Sequence, residues 1–217
     1  MTVPKGGFVS FEGGDGSGKS TQALLLVQRL KQSGHRVVHT REPGGCWFSE
    51  QLRQLLVSGA PEKINDKTEL LLMTAARIEH VRQLIEPALR QGQWVVSDRF
   101  LDSTLAYQGF GRGMDRCFLD LLQQWAIGGL VPRLTFLLLL EPEEGLRRSI
   151  EKRSSEQVRE TRFEQEGIAF QRRVNAGFVT LAKESPSRFR VIDATDSREH
   201  IARKVWVAVQ EVFSHVE

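Results

Sequence analysis

One stretch near the start limits what this chain can become: Phe8-Val9-Ser10-Phe11-Glu12-Gly13-Gly14-Asp15-Gly16-Ser17-Gly18-Lys19-Ser20-Thr21. Gly13 through Ser20 fits the phosphate-loop pattern G-x-x-x-x-G-K-[ST] without mismatch. The pattern carries physical meaning only between a strand and a helix. Phe8, Val9 and Phe11 form a short apolar run suited to a buried strand, and Ala23-Leu24-Leu25-Leu26-Val27 opens a helical stretch behind the loop. Glycines let the backbone curl so that successive N–H groups point inward, and the helix N-terminus adds positive potential. Gly13, Gly14, Asp15, Gly16, Ser17, Gly18, Lys19, Ser20 and Thr21 are therefore expected to cradle a nucleoside triphosphate. Lys19 would neutralise its β- and γ-phosphates, and the Ser20 hydroxyl would ligate Mg²⁺. The alternative is a Gly-rich turn without a ligand, against which the flanking strand and helix weigh.

Further strand-like runs lie at 36–40, 94–97, 134–140 and 190–193, each short and apolar. Helical periodicity covers about 18–33, 49–57, 69–90, 100–107, 115–127, 143–152, 163–183 and 198–213. Pro87 inside the longest run predicts a kink, or a break one residue earlier. Gly109-Phe110-Gly111-Arg112-Gly113 reads as a turn. Apolar strands alternating with helices predict an α/β fold, a central parallel five-stranded sheet with helices on both faces. Ligands in such folds bind beyond the carboxyl ends of the strands.

The 217 residues suffice for one domain with a full core, spanning 1–217. A balance of 30 basic against 27 acidic residues, net +3, gives little footing to nucleic-acid binding, and a pocket for anionic nucleotides explains it equally well. Cys46 and Cys117 stand far apart and outline no disulfide framework or zinc site, which suits free thiols in a reducing compartment. No apolar run reaches the roughly 18 residues of a membrane helix, and residues 1–7 lack an apolar signal core. The expectation is a soluble cytoplasmic protein without membrane or nucleic-acid partners.

A second constellation is Asp98-Arg99-Phe100-Leu101-Asp102-Ser103-Thr104-Leu105-Ala106-Tyr107-Gln108, directly behind a strand. Asp98 sits where a carboxylate would hold Mg²⁺ through water. Arg99, Ser103 and Tyr107 recur at helical spacing on one face, with Thr104 and Gln108 beside them. That face suits a pocket for a phosphate and a base, or else an ordinary solvated face with one buried Tyr.

This segment resembles the D-R-[YF]-x-x-S-x-x-A-Y-Q signature of thymidylate kinases throughout. The phosphate loop is similar to theirs down to the acidic Asp15. Arg41-Glu42-Pro43-Gly44-Gly45 matches the family's R-E-P-G-G loop, and Leu70-Leu71-Leu72 through Ala75-Ala76-Arg77 resembles its L-L-x-x-x-A-A-R helix. Residues 109–113 and Arg162-Phe163-Glu164-Gln165-Glu166 match as well. The resemblance implies a P-loop NTPase fold and transfer of the γ-phosphoryl of ATP to dTMP, giving dTDP for dTTP supply. By the same resemblance Lys19 and Ser20 hold ATP and Mg²⁺, with Asp98 sharing the metal. Arg99 binds the dTMP phosphate with help from Arg41, and Asp15 hydrogen-bonds the 3′-hydroxyl or, on the blander reading, only backbone N–H groups. Arg77 and Thr104 meet the thymine edge with Gln108 close by, Met73 covers the base, and Glu164 joins the substrate-binding set. Tyr107 packs against the sugar and leaves no room for a 2′-hydroxyl. Arg77 could instead be a surface cation with a buried stem.

The charged segment 147–162 corresponds to the family's lid, whose arginine acts at the transferring phosphoryl group. Arg153, Arg159 and Arg162 are the candidates, Arg153 first, so that the catalytic set is Lys19, Arg99, Arg153 and Asp15. The resemblance also implies a homodimer through helices flanking the substrate pocket. Three positions depart from the family: Met73 for a stacking Phe, Cys46-Trp47-Phe48 where Thr follows R-E-P-G-G, and Thr161 for an aspartate. Met73 leaves another nucleoside monophosphate or deoxynucleoside kinase as the rival reading, and a P-loop switch ATPase is the rival from another class. No N-K-x-D motif points to a GTPase.

Overall fold

The computed structural model describes residues 6–57, 64–155 and 162–213, with 152–155 by backbone alone. Five parallel strands form its sheet: β1 (Phe8–Glu12), β2 (Val37–Arg41), β3 (Trp94–Asp98), β4 (Leu134–Leu139) and β5 (Phe189–Asp193), in the order β2-β3-β1-β4-β5. The central strands β1, β3 and β4 are buried and mostly apolar because both faces are covered, whereas the edge strands β2 and β5 carry His39, Arg41, Arg190 and Asp193 and are partly exposed. Val9, Phe11, Val96, Phe136 and Leu138 face α1 (Lys19–Gln32) and α9 (Arg198–Val212). Phe8, Val95, Leu137 and Phe189 face the opposite layer, built from α3 (Asp66–His80), α4 (Glu86–Arg90), α5 (Leu101–Thr104) and α8 (Ile168–Glu184). Helix α2 (Trp47–Val57) packs on α3 through Leu52, Leu56, Val57 and Ala76. Helices α6 (Arg116–Ile127) and α7 (Pro142–Ser155) complete the set. No helix of the described residues is long and apolar enough to cross a membrane.

Four expectations change. Helix α3 starts at Asp66, three residues early, because the Asn65 side chain caps it by accepting from Lys67 N at 2.9 Å. Pro87 does not end the run one residue earlier, since Ile85 and Glu86 both keep right-handed helical dihedrals. A π turn over Val81–Ile85 precedes it, with Glu86 N–H donating to Val81 O, and this wider turn shifts the ladder so that the helix continues past a residue lacking a donor. The segment at 109–113 is likewise no simple turn. Leu105–Gly111 forms a second π segment, and its glycines serve close packing rather than chain reversal. A Cβ on Gly111 would meet the Phe170 ring at 2.7 Å, and one on Gly177 would meet Phe110 at 2.7 Å. Helix α8 starts at Ile168 rather than 163, since a 3₁₀ turn at Glu164–Glu166 and Gly167 at φ 84 precede it.

Gly177 therefore sets how near α8 comes to the segment carrying Tyr107 and Gln108. Gly177→Ala should destabilise the fold by on the order of 1 kcal/mol, overpacking of about 1–3 kcal/mol exceeding a helix-propensity gain of about 1 kcal/mol. Urea unfolding measures the balance, and a stabilised variant would refute the close contact.

Candidate active site

Register brings the parts together. Asp98 at the end of β3 pairs with Phe11 of β1 on one side and Arg41 of β2 on the other, so the loops after all three strands open at one edge. There they line a cleft of about 450 Å³. Gly13, Gly16 and Gly18 take positive φ, the curl a phosphate loop needs, and α1 begins at Lys19. Lys19 Nζ donates to Gly14 O at 2.7 Å. Burial, then the neighbouring Arg99 guanidinium, pushes its ammonium down to about 8. Ser20 Oγ donates to Asp98 Oδ2. These two hard oxygens fit Mg²⁺, which takes one or two protein ligands and fills the rest with phosphate and water. Among the described residues no cluster of three His, Cys, Asp or Glu could hold an ion by itself.

Arg99, Ser103 and Tyr107 do come together, though not as one helical face: α5 starts at Leu101, and Arg99 stands before it at φ 69° with its guanidinium turned back onto the other two. Arg99 Nη1 donates to Gly13 O at 3.0 Å and Ser103 Oγ at 3.2 Å. Its Nη2 donates to Asp15 Oδ1 and, at 3.3 Å, to Tyr107 Oη, while the guanidinium lies 5.2 Å over the Tyr107 ring. Burial would raise the Asp15 carboxyl, but Arg99 and then Lys19 outweigh it and hold it below the usual range. The Asp15 side chain thus accepts from Arg99, which the loop-only reading did not foresee. Tyr107 is buried, and burial pushes its hydroxyl up.

Arg77 is 3% exposed, which removes the surface-cation alternative. Its Nε donates to Glu42 Oε2 at 2.7 Å, Nη1 to Thr104 Oγ1 at 2.9 Å and Gln123 Oε1 at 2.7 Å, and Nη2 to Phe100 O at 3.3 Å. Glu42 also pairs with His80 Nδ1 at 2.9 Å, whose Nε2 lies 2.6 Å from Thr40 Oγ1. Burial would raise Glu42, but Arg77 and His80 keep it low. Gln108 Nε2 donates to Glu69 Oε1 at 2.7 Å. The same carboxylate accepts from Arg112 Nε and Nη2, both at 2.8 Å, and from Arg162. Burial works against the Glu69 charge, and hydrogen bonds from Arg112 and Gln108 overcome it.

Arg162, one of the lid candidates, is wholly buried on Glu69 and on Leu56 O at 3.3 Å, so it anchors the segment rather than swinging over a ligand. Arg153 falls in α7 with its side chain outside the described residues, and Arg159 and Thr161 lie outside them altogether. Arg41 is half-exposed and pairs with Glu50 at 3.1 Å at the cleft edge. Met73 and Glu164 line the cleft, and Glu164 accepts from Ser149 Oγ. Cys46, Trp47 and Phe48 are absent from its lining, with Trp47 76% exposed at the start of α2. The residues missed by sequence reasoning are Glu12, Glu42, Glu69 and Gln123. Gln123 left one signal, a polar residue at helical spacing between the buried Leu119 and Ile127.

Cations are gathered round a loop that curls for phosphates, and a nucleoside-sized end is lined by Arg77, Thr104, Tyr107 and Gln108. Charge neutralisation and alignment are what phosphoryl transfer requires, so this is the layout of a P-loop phosphotransferase working on a small acceptor. The thymidylate kinase family model matches residues 11–205. The thymidylate kinase of Magnetococcus marinus is 47% identical over 209 residues, 96% of this chain and 98% of that one. That of Solidesulfovibrio magneticus is 46% identical over 204 residues, 93% and 98% of the two chains. The crystal structure of thymidylate kinase from Ehrlichia chaffeensis superimposes with a TM-score of 0.76 at 34% identity, covering 95% of this chain and 100% of that one. This chain belongs to the thymidylate kinase family.

Two neighbouring ion pairs should respond differently to truncation. Glu42→Ala strands a buried Arg77 and should cost about 3–5 kcal/mol, whereas Arg41→Ala breaks a pair at the surface and should cost at most about 1 kcal/mol. Equal losses in denaturant unfolding would contradict the burial of the Glu42 network.

Proposed function

We propose that the cleft is where this chain carries out the family's reaction, transfer of the γ-phosphoryl group of ATP to dTMP, giving ADP and dTDP for dTTP synthesis. The observation that carries the reading is the Arg99 guanidinium, which touches both the phosphate loop at Gly13 and the nucleoside end at Tyr107. It stands where donor and acceptor phosphates have to meet.

Lys19 and the loop N–H groups hold the ATP phosphates. Mg²⁺, held by Ser20 and Asp98, would neutralise charge on the β- and γ-oxygens and align them. Arg99 exchanges Asp15 for the dTMP phosphate, with Arg41 at the edge, and the released Asp15 carboxylate accepts the 3′-hydroxyl. Arg77, aimed by Glu42 and Gln123, meets thymine together with Thr104 and Gln108. The flexible thioether of Met73 covers the base face. Tyr107 closes the space a 2′-hydroxyl would need, and Glu164 borders the bound nucleotides. Arg153 of the lid at about 147–162 completes the catalytic set and excludes water on closure. The whole of 1–217 acts as one domain.

Exposed apolar side chains on α2, α3 and α6, namely Leu55, Leu71, Phe118, Leu121 and Trp125, support a homodimer joined through these helices beside the cleft. The free cysteines Cys46 and Cys117 suit a reducing cytoplasm. The small net charge of +3 supports small nucleotides as the partners, with no nucleic acid.

An ADP-release assay with ATP tests the acceptor directly, with dTMP, dUMP, dCMP, dGMP, UMP and thymidine in parallel, with Mg²⁺ and with EDTA. Preference for dTMP and loss in EDTA are expected. Preference for another acceptor would reassign the pocket around Met73 and Tyr107, and ATP turnover indifferent to acceptor would favour a switch ATPase. Trp125→Glu should turn the dimer into a monomer in sedimentation. A wild-type protein that sediments as a monomer would remove the interface.

A further inference from the structure

Arg99 has a φ of 69°, the one positive value outside glycine among the described residues. A side-chain-bearing residue keeps such a backbone only where its surroundings over-determine it. Here the peptide following Arg99 is gripped at both ends. Its carbonyl oxygen accepts from Ser97 Oγ at 2.6 Å. Its N–H, that of Phe100, donates to Glu12 Oε1 at 2.7 Å. The other Glu12 oxygen accepts from Ser103 Oγ at 2.6 Å, and Ser103 Oγ in turn accepts from the Arg99 guanidinium at 3.2 Å. The Arg99 N–H is fixed as well, donating to Phe11 O at 2.9 Å.

Glu12 and Ser97 are both wholly buried in strands whose other buried positions are apolar apart from Ser10, which pairs with Thr135 Oγ1 at 2.9 Å. Burial of a carboxyl is unfavourable, and the phosphate-loop pattern itself begins only at Gly13, so neither core packing nor phosphate binding accounts for Glu12. We propose that Glu12 and Ser97 are positioning residues that hold the 99–100 peptide in the orientation that turns the Arg99 guanidinium back over the phosphate loop. The proposal rests on Arg99 binding the acceptor phosphate. Acting through Arg99, the two residues govern how well dTMP is aligned and leave ATP binding alone.

The chemistry of Glu12 supplies a conservative variant. Burial, with Asp102 adding to it, pushes its carboxyl up to about 8. Ionised, its Oε2 accepts from Ser103 Oγ; protonated, Oε2 can donate to the same oxygen once that hydroxyl turns, and in both forms Oε1 accepts from the Phe100 N–H. Glutamine reproduces both bonds, and alanine neither.

Steady-state kinetics of the full-length protein, with dTMP and ATP varied separately, decide the matter. Ser97→Ala and Glu12→Ala should each lower kcat/KM for dTMP by about tenfold or more with the KM for ATP within about twofold, and Glu12→Gln should stay within about threefold of wild type. In an Arg99→Gly background, where the left-handed backbone is unstrained and no guanidinium needs aiming, Ser97→Ala should cost less than about twofold. Should Glu12→Ala not fold, Ser97→Ala carries the test alone. Unchanged dTMP kinetics in Ser97→Ala, or the same loss with and without Arg99, would overturn the positioning role while leaving the reading of Arg99 intact. Normal dTMP turnover in Arg99→Gly would overturn both.

Discussion

A cleft that receives two anionic nucleotides has to concentrate cations before either arrives, and cations confined in a protein interior repel one another and lose their hydration. The structure answers this by giving each buried arginine a carboxylate. Arg99 has Asp15, Arg77 has Glu42, Arg112 and Arg162 share Glu69, and Arg188 holds Asp102 with both nitrogens, at 2.6 and 2.7 Å. The pairs differ in access. Asp15 is 30% exposed, whereas Glu42, Glu69 and Asp102 are 5%, 0% and 0% exposed. Only the first is placed to exchange its partner for a ligand, and the others fix the walls.

The sheet makes that arrangement possible. With β1 between β3 and β4, the ends of β1 and β3 lie side by side, and β2 adds its loop on the far edge of β3. Ser20 and Asp98, far apart in sequence, touch because α1 returns over the same edge. The pairing of Arg41 with Asp98 in register likewise delivers Glu42 to Arg77. Packing of the Tyr107 segment against α8 presses the acceptor side of the cleft onto the core, where Phe170 and Phe178 meet the Tyr107 ring edge-on.

Much of this was legible in the chain itself. The central strands announce themselves because burial on both faces leaves them mostly apolar, the edge strands by short β-branched runs, and the phosphate loop because its backbone demands glycine at fixed spacing. Arg99, Ser103, Tyr107, Thr104 and Gln108 stood out by their spacing behind a strand, but that spacing fitted a solvated face equally well until the thymidylate kinase resemblance singled them out, and Arg99 meets the others from outside the helix. What stayed hidden depends on partners distant in sequence. Glu69 and Gln123 look like ordinary helix residues until Arg112, Arg162 and Arg77 are brought to them. Pro87, Gly109 and Gly111 differ from expectation for a related reason: local rules assign them to breaks and turns, while π turns and close contacts absorb them, and of the three glycines in 109–113 only Gly113, at φ 74°, keeps the turn role. The charged segment 147–162 shows the same limit, since nothing in its run of charges marks Arg162 as the buried partner of Glu69.

The bond between Gln108 and Glu69 has a consequence for reading a base. An amide viewed alone can present either its carbonyl or its amino end, and so can greet either polarity of hydrogen-bonding edge. Glu69 is held ionised and can only accept, so the amino end of Gln108 must face it and the side chain cannot flip. What remains to be offered is a carbonyl lone pair. Were a base to reach that oxygen, a pyrimidine ring nitrogen bearing hydrogen, as in thymine or uracil, would meet the lone pair with a donor. Cytosine, whose corresponding nitrogen carries a lone pair of its own, would meet it with repulsion, and discrimination between keto and amino pyrimidines would then come from a carboxylate that never touches the base.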